Sequence, residues 1–182
     1  SSDLPLSPPI HFMPTRTVSH VCSSGVTLGG VGLAATYAAA LACPRVNVLA
    51  GLRPSGVADA VLRATLIDNL RYAADRLSES GRTVLLEPLN TRDTPGFFVS
   101  RSHDGLALLA EAGRPNLRLQ YDVYHAQVME GDLARTLGEH LAQIGHIQLA
   151  DNPGRHQPGT GEIRFPFLFG HLEALGYAGW IG

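Results

Sequence analysis

Lysine is absent: all 14 basic residues are arginine. That excludes a lysine Schiff base and a Walker-type phosphate-binding lysine. Cysteine is scarce as well. Cys22 and Cys43 are too few and too isolated for a disulfide framework or a cysteine zinc site. No apolar run approaches the roughly 20 residues that a membrane helix needs. The start, SSDLPLSPPIHF, lacks the charged-then-apolar build of a signal peptide, so the expected location is cytoplasmic and no membrane partner is expected. A net charge of −2 with no Arg-rich stretch weighs against a nucleic-acid partner. What is present, 182 residues with 45% hydrophobic and 16% charged, is an ordinary globular composition with enough chain for one good-sized core.

From about Val31 onward, short β-like runs alternate with longer helix-like ones, the pattern of repeated βα units around a parallel sheet. Strands are expected at Val46 to Ala50, Thr83 to Glu87, Leu117 to Asp122 and His146 to Ala150, with a last strand starting at Gly179 to Gly182. Apolar residues at 57, 61, 62, 66, 70, 73 and 77 recur every three or four positions and predict a helix between the first two. Ser102 to Ala112, Asp132 to Leu141 and Phe165 to Leu175 read as the others. Gly81, Gly113, Gly145 and Gly176 stand where helix C-termini need a residue that tolerates positive φ. Residues 1–30 are rich in Pro and Ser with little periodicity and read as an irregular or poorly ordered segment. An eight-stranded barrel takes about 250 residues. The expected fold is therefore α/β: residues 31–182 as an incomplete (β/α)8 TIM barrel, roughly its C-terminal five βα units. An open doubly wound sheet is the alternative that periodicity leaves standing.

The strand ends carry the chemistry. In LRLQYD, Arg118, Gln120 and Asp122 share one face, and in HIQLA His146 and Gln148 do the same. Helical crossovers cover the outside of a parallel sheet, so these polar residues should meet inside the barrel and need partners, a metal or a ligand. Glu87, Asp122 and Gln148 then place oxygens at the C-terminal strand ends, where barrel enzymes assemble their sites. Two carboxylates and an amide oxygen form a hard donor set suited to Mg²⁺ or Mn²⁺ rather than zinc. His125, three residues past Asp122, could stand over a metal as a hydrogen-bond donor or could be an exposed residue at a helix start. Arg155 and His156 could bind a substrate carboxylate or could be solvated loop residues.

The segments LLEPLNTRDTPGFF, LRLQYDVYHAQVMEGDLARTL and GHIQLADNPGRHQPGTGEIRFPFLFGHLEALGYAGWIG closely resemble the bacterial hydroxypyruvate isomerase family, part of the xylose-isomerase-like TIM-barrel group. The resemblance runs from about Tyr37 to Gly182. It implies an aldose–ketose isomerase that interconverts hydroxypyruvate and tartronate semialdehyde, with relatives acting on 2-oxo-tetronates. It also implies that Glu87 is a metal ligand and proton donor/acceptor, and that Asp122 and Gln148 are further ligands. The implied partner is a small hydroxy-oxo acid, and a homo-oligomer is compatible with it. The family's fourth ligand and second acid/base, a glutamate in a Cys-Glu-Tyr segment, would lie beyond Gly182, and its first three βα units have no counterpart in residues 1–30. The 182 residues alone are thus expected to be a piece of a longer product or an inactive remnant. The DNA-repair endonucleases of the same barrel group need a His-rich zinc cluster, and none of the three strand ends is a histidine.

Overall fold

The computed structural model describes residues 17–19 and 28–182. In chain order the elements are β1 (Thr17–Ser19), α1 (Leu28–Ala40), β2 (Arg45–Leu49), α2 (Asp59–Ser78), β3 (Thr83–Glu87), α3 (Ser102–Ala112), β4 (Leu117–Asp122), α4 (Val123–Met129), α5 (Leu133–His140), β5 (Ile144–Gln148) and α6 (Phe165–Ala174). All paired strands are parallel, and they lie in sequential order, β1-β2-β3-β4-β5. A doubly wound sheet reverses its strand order at a switch point. This one does not, and the progression is that of a TIM barrel. Ile181 continues it through a parallel bridge to Ile147, the observed form of the strand start expected at 179–182.

The two faces of the sheet have separate chemistry, as a period of two requires. Val46, Val48, Val84, Leu86, Leu117, Leu119, Tyr121 and Ile147 form one core with Leu66, Leu70, Leu77, Leu108 and Leu109 of the covering helices. A leucine fully buried in this way contributes about 1.5–3 kcal/mol, so the outer layer holds the strands in place. Asn47, Glu87, Gln120, Asp122 and His146 are buried on the inner face instead. The inner polar face expected from LRLQYD and HIQLA is therefore present.

The expected strands at 83–87 and 117–122 have the observed bounds. The strand expected at 146–150 runs over Ile144–Gln148, because the register shifts between Leu119, which faces Ile144, and Gln120, which faces His146. Gly145 is the extra residue. It does not end a helix with positive φ, as expected from sequence, but lies within the strand. A Cβ there would stand 2.7 Å from Arg118 Cβ and from Leu85 Cδ2, so the close approach of backbone inside the barrel excludes any side chain. Gly113 does meet the expectation, closing α3 at φ 63°.

Most of the segment read as irregular, residues 1–16 and 20–27, lies outside the described residues. Within it Thr17–Ser19 pair with Arg45–Asn47. Helix α1, absent from the sequence reading, buries Val31, Ala34 and Ala38 on one stripe; its Ala-rich sequence supplies the helix propensity that its glycines reduce. Helix α4, which begins directly after Asp122, is a second helix beyond those expected from the sequence. Among the described residues no helix is long and apolar enough to cross a membrane.

Candidate metal centre

Glu87, Asp122 and Gln148 are the last residues of β3, β4 and β5, and Asp122 and Gln148 are Cα register partners. Glu87 and Asp122 are each 5% exposed. His125 joins them from the first turn of α4, and one ligand-type atom from each of Glu87, Asp122 and His125 lies within 4.8 Å of the other two. Oxygens held on opposite sides of one small divalent ion by bonds of about 2.1 Å are about 4.2 Å apart. The two carboxylates are therefore spaced to share a cation after a small contraction.

The electrostatics favour such an ion. Burial pushes the Glu87 carboxyl up to about 7 and the Asp122 charge adds to this, while Asn47, Gln120 and Arg155 oppose it. Two carboxylates sharing a desolvated space repel each other, and a cation between them reverses that cost. Asn47 Nδ2 donates to Glu87 Oε2 at 2.5 Å and fixes the side chain from β2. Asp122 serves two ends at once. Its Oδ1 accepts the backbone N–H of Tyr124 at 2.8 Å and of His125 at 3.3 Å, capping α4. Its Oδ2 faces His125 Nε2 at 3.7 Å and Arg155 Nη2 at 3.4 Å.

The tautomer of His125 follows from its partners. Nδ1 accepts the backbone N–H of Asn90 at 3.1 Å, and a backbone amide can only donate, so Nδ1 carries no proton. Burial lowers the pKa of the ring, opposed by the Asp122 charge, and the neutral ring holds its proton on Nε2. That nitrogen is buried without a hydrogen-bond partner among the described residues. A protonated Nε2 donates and cannot ligate. Although His125 sits within ligand distance, it faces the carboxylates as a donor.

Gln148 Oε1 accepts from Gln120 Nε2 at 2.7 Å. An amide oxygen has two lone pairs, so the bond to Gln120 leaves one for a cation. The Arg155 side chain is half exposed, and its guanidinium lies 5.6 Å from the centre of the Tyr124 ring. His156 is exposed, and its ring lies against Gly154. The structure thus gathers Glu87, Asp122, His125 and Arg155, sets Gln148 beside Asp122 on the next strand, and leaves His156 at the loop surface.

Sequence reasoning missed the groups that hold these residues. Asn90 Nδ2 and the Tyr124 hydroxyl donate to Asp93 Oδ2 at 3.0 and 2.6 Å, and the Asp93 N–H returns to Asn90 Oδ1 at 2.8 Å. This ties the loop after β3 to α4. Asp151, fully buried, accepts the backbone N–H of Asn152, Gly159, Gly161 and Ile163 and folds the loop that carries Arg155. A signal for the second set was available: an aspartate followed by a Gly- and Pro-rich stretch, DNPGRHQPGTGE, is suited to gathering loop amides.

Residues 29–182 match the model of the xylose isomerase-like TIM barrel family. The chain is 47% identical over 154 residues to the 2-oxo-tetronate isomerase of Cupriavidus necator, covering 85% of this chain and 59% of that protein. It is 44% identical to the hydroxypyruvate isomerase of Escherichia coli, covering 84% and 59%. A crystal structure titled AP endonuclease, family 2, from Brucella melitensis superposes with a TM-score of 0.82 at 42% identity, covering 85% of this chain and 59% of that one. The chain therefore spans about three fifths of the length of these relatives. With the sequential parallel strands and the acidic centre at their C-terminal ends, these matches establish that the chain belongs to the xylose isomerase-like TIM barrel family.

Proposed function

We propose that this chain forms the metal-binding part of an isomerase that moves a proton between adjacent carbons of a small hydroxy-oxo acid, interconverting hydroxypyruvate and tartronate semialdehyde. The observation that carries the reading is the buried Glu87–Asp122 pair faced by a neutral His125 whose free N–H points into the same space. The isomerase names of the relatives support it. Glu87, Asp122 and Gln148 would hold Mg²⁺ or Mn²⁺, as their oxygen donors favour. When bound, the ion would polarise the carbonyl and hydroxyl oxygens of the substrate.

The chain's own residues do the rest. Ionised Glu87 takes a proton from C3 of hydroxypyruvate while the C2 carbonyl oxygen gains one, leaving an enediol. Return of the carbon-bound proton to C2 and loss of the C3 hydroxyl proton, which replaces the one taken up at the C2 oxygen, complete the aldehyde. His125 donates its Nε2–H to a substrate oxygen. Arg155, cationic and half exposed beside Asp122, receives the substrate carboxylate in a bidentate pair, with His156 at the entrance.

The test is a titration with Mn²⁺ and Mg²⁺ of the chain extended through the Cys-Glu-Tyr segment that the family resemblance implies, followed by assays on hydroxypyruvate and on a 2-oxo-tetronate. Metal-dependent turnover of hydroxypyruvate is the expected result. Preference for the four-carbon acid moves the assignment to the 2-oxo-tetronate isomerases, and no turnover of either acid overturns it. Arg155→Ala should raise KM about tenfold or more and leave kcat within about threefold, as expected for a contact equally strong in ground and transition states. A fall in kcat alone contradicts the carboxylate role.

A further inference from the structure

A side-chain amide inside a protein has two donors and an oxygen to satisfy, and an unsatisfied group is retained only where something compensates for it. Gln120 is completely buried on the inner face of β4. Its Nε2 donates to Gln148 Oε1 at 2.7 Å, and the amide lies close enough to Glu87 to favour the charged carboxylate. Its Oε1 has no hydrogen-bond partner among the described residues. An apolar side chain of the same length would fill this place without an unpaired oxygen. What it could not do is span from Glu87 on β3 to Gln148 on β5.

Gln148 needs that support. Its side chain is only partly buried and has rotatable bonds, so an oxygen meant to meet a cation has to be held against rotation. Groups that hydrogen-bond to a ligand in this way fix its orientation and change metal affinity. We propose that Gln120 is a positioning residue, holding the Gln148 amide oxygen toward the Glu87–Asp122 carboxylates through one partly buried hydrogen bond. The inference rests on the reading of Gln148 as a metal ligand given above.

The experiment is calorimetric titration of MnCl₂ into the full chain, with a thermal unfolding scan in EDTA for every variant. Gln120→Met keeps length and volume and removes the donor. It should weaken Mn²⁺ binding about 10–100-fold, the range seen when a support of a metal ligand is lost. The metal-free unfolding midpoint should hold or rise, because an unpaired buried oxygen leaves with the amide. In a Gln148→Ala background the same substitution should change the Mn²⁺ affinity less than about twofold, since residues acting through one another are not additive.

Wild-type affinity in Gln120→Met, with Gln148→Ala weakened, overturns the positioning role and leaves the metal site standing. Equal losses in both backgrounds also overturn it, because they signal a packing defect. Wild-type affinity in Gln148→Ala, or no Mn²⁺ binding by the wild type, overturns the ligand reading and this inference with it. If Gln120→Met does not fold, Gln120→Asn, one methylene too short to reach Gln148, takes its place in the same cycle.

Discussion

If the proposed isomerase reading holds, Glu87→Gln in the chain extended through the family's last strand should lower turnover by about 10²–10⁴-fold, the usual contribution of a general acid–base group, before any loss of metal is counted. Glutamine keeps the shape and can still accept from Asn47 Nδ2, which bonds Glu87 Oε2, but it cannot take a proton and brings no charge to a cation. Stability moves the other way. Burial raises the Glu87 pKa from 4.5 to about 7, so the proton is bound more tightly in the folded state. The stability this gives is fully present below pH 4.5 and is lost as the pH rises through 7. In EDTA, Glu87→Gln should therefore match the wild type near pH 4 and exceed it at pH 8 by on the order of 3 kcal/mol. Mn²⁺ should close the gap by stabilising the wild type alone. Denaturant unfolding at the two pH values and a turnover assay measure both halves. Unchanged turnover excludes Glu87 as the base, and a gap independent of pH excludes the buried, raised carboxyl.

The strands that carry this carboxylate were legible because alternation and burial agree over them. LRLQYD has its apolar residues on the helix side, TVLLE has Val84 and Leu86 there with Leu85 on the inner face, and both strands keep their expected bounds. HIQLA was displaced by two residues because Gly145, which sequence reasoning assigned to a helix end, is a bulge tucked against Arg118 and Leu85. No local pattern encodes a contact of that kind. The first strand and α1 were missed for a different reason. Three residues of strand carry no periodicity, and a helix rich in alanine and glycine has too little contrast between its faces to reveal a period.

The position of Glu87, Asp122 and Gln148 at neighbouring strand ends was likewise visible, since polar residues on the inner face of successive parallel strands lie side by side. The proton on His125 was not. Its position depends on the Asn90 N–H, 35 residues earlier in the chain, and only the folded loop after β3 brings the two together. That one backbone amide leaves the ring proton on Nε2, and burial removes the exposed helix-start alternative that was open from the sequence. The geometry sets His125 among the site groups, fully buried. His156 shows the converse. It was grouped with Arg155 on residue type, yet the turn at Gly154 directs its ring to the surface.

Arg155 reaches the carboxylates only because the loop from Asp151 to Ile163 has a fixed shape, and the second large effect is expected where that shape is set. Asp151→Asn should destabilise the full chain by on the order of 3 kcal/mol, since hydrogen bonds to a charged acceptor contribute about 1.5–3 kcal/mol each and losses within one cluster overlap. Both carboxylate oxygens are in use: Oδ1 receives the N–H of Asn152 and Ile163, and Oδ2 that of Gly159 and Gly161. Asparagine has one oxygen, so whichever way it turns, its NH₂ group confronts two backbone donors. Gly161 offers no room to adjust, since even a Cβ there would lie 2.7 Å from Asp151 Oδ1 and 2.2 Å from the Asn152 carbonyl oxygen. Burial alone would raise the Asp151 pKa, but the four backbone donors overrule it and hold the carboxyl below its ordinary range. The stability from this group is therefore present above the ordinary aspartate pKa of about 3.9 and is lost as the pH falls through its lower folded value. The difference between wild type and Asp151→Asn in denaturant unfolding should accordingly be full at pH 7 and shrink below pH 4. Hydrogen exchange locates the effect: protection at the amides of Gly159, Gly161 and Ile163 should fall, while the amides of β3 and β4 keep theirs relative to global stability. Retained protection at the three loop amides would show that Asp151 does not set the loop that presents Arg155.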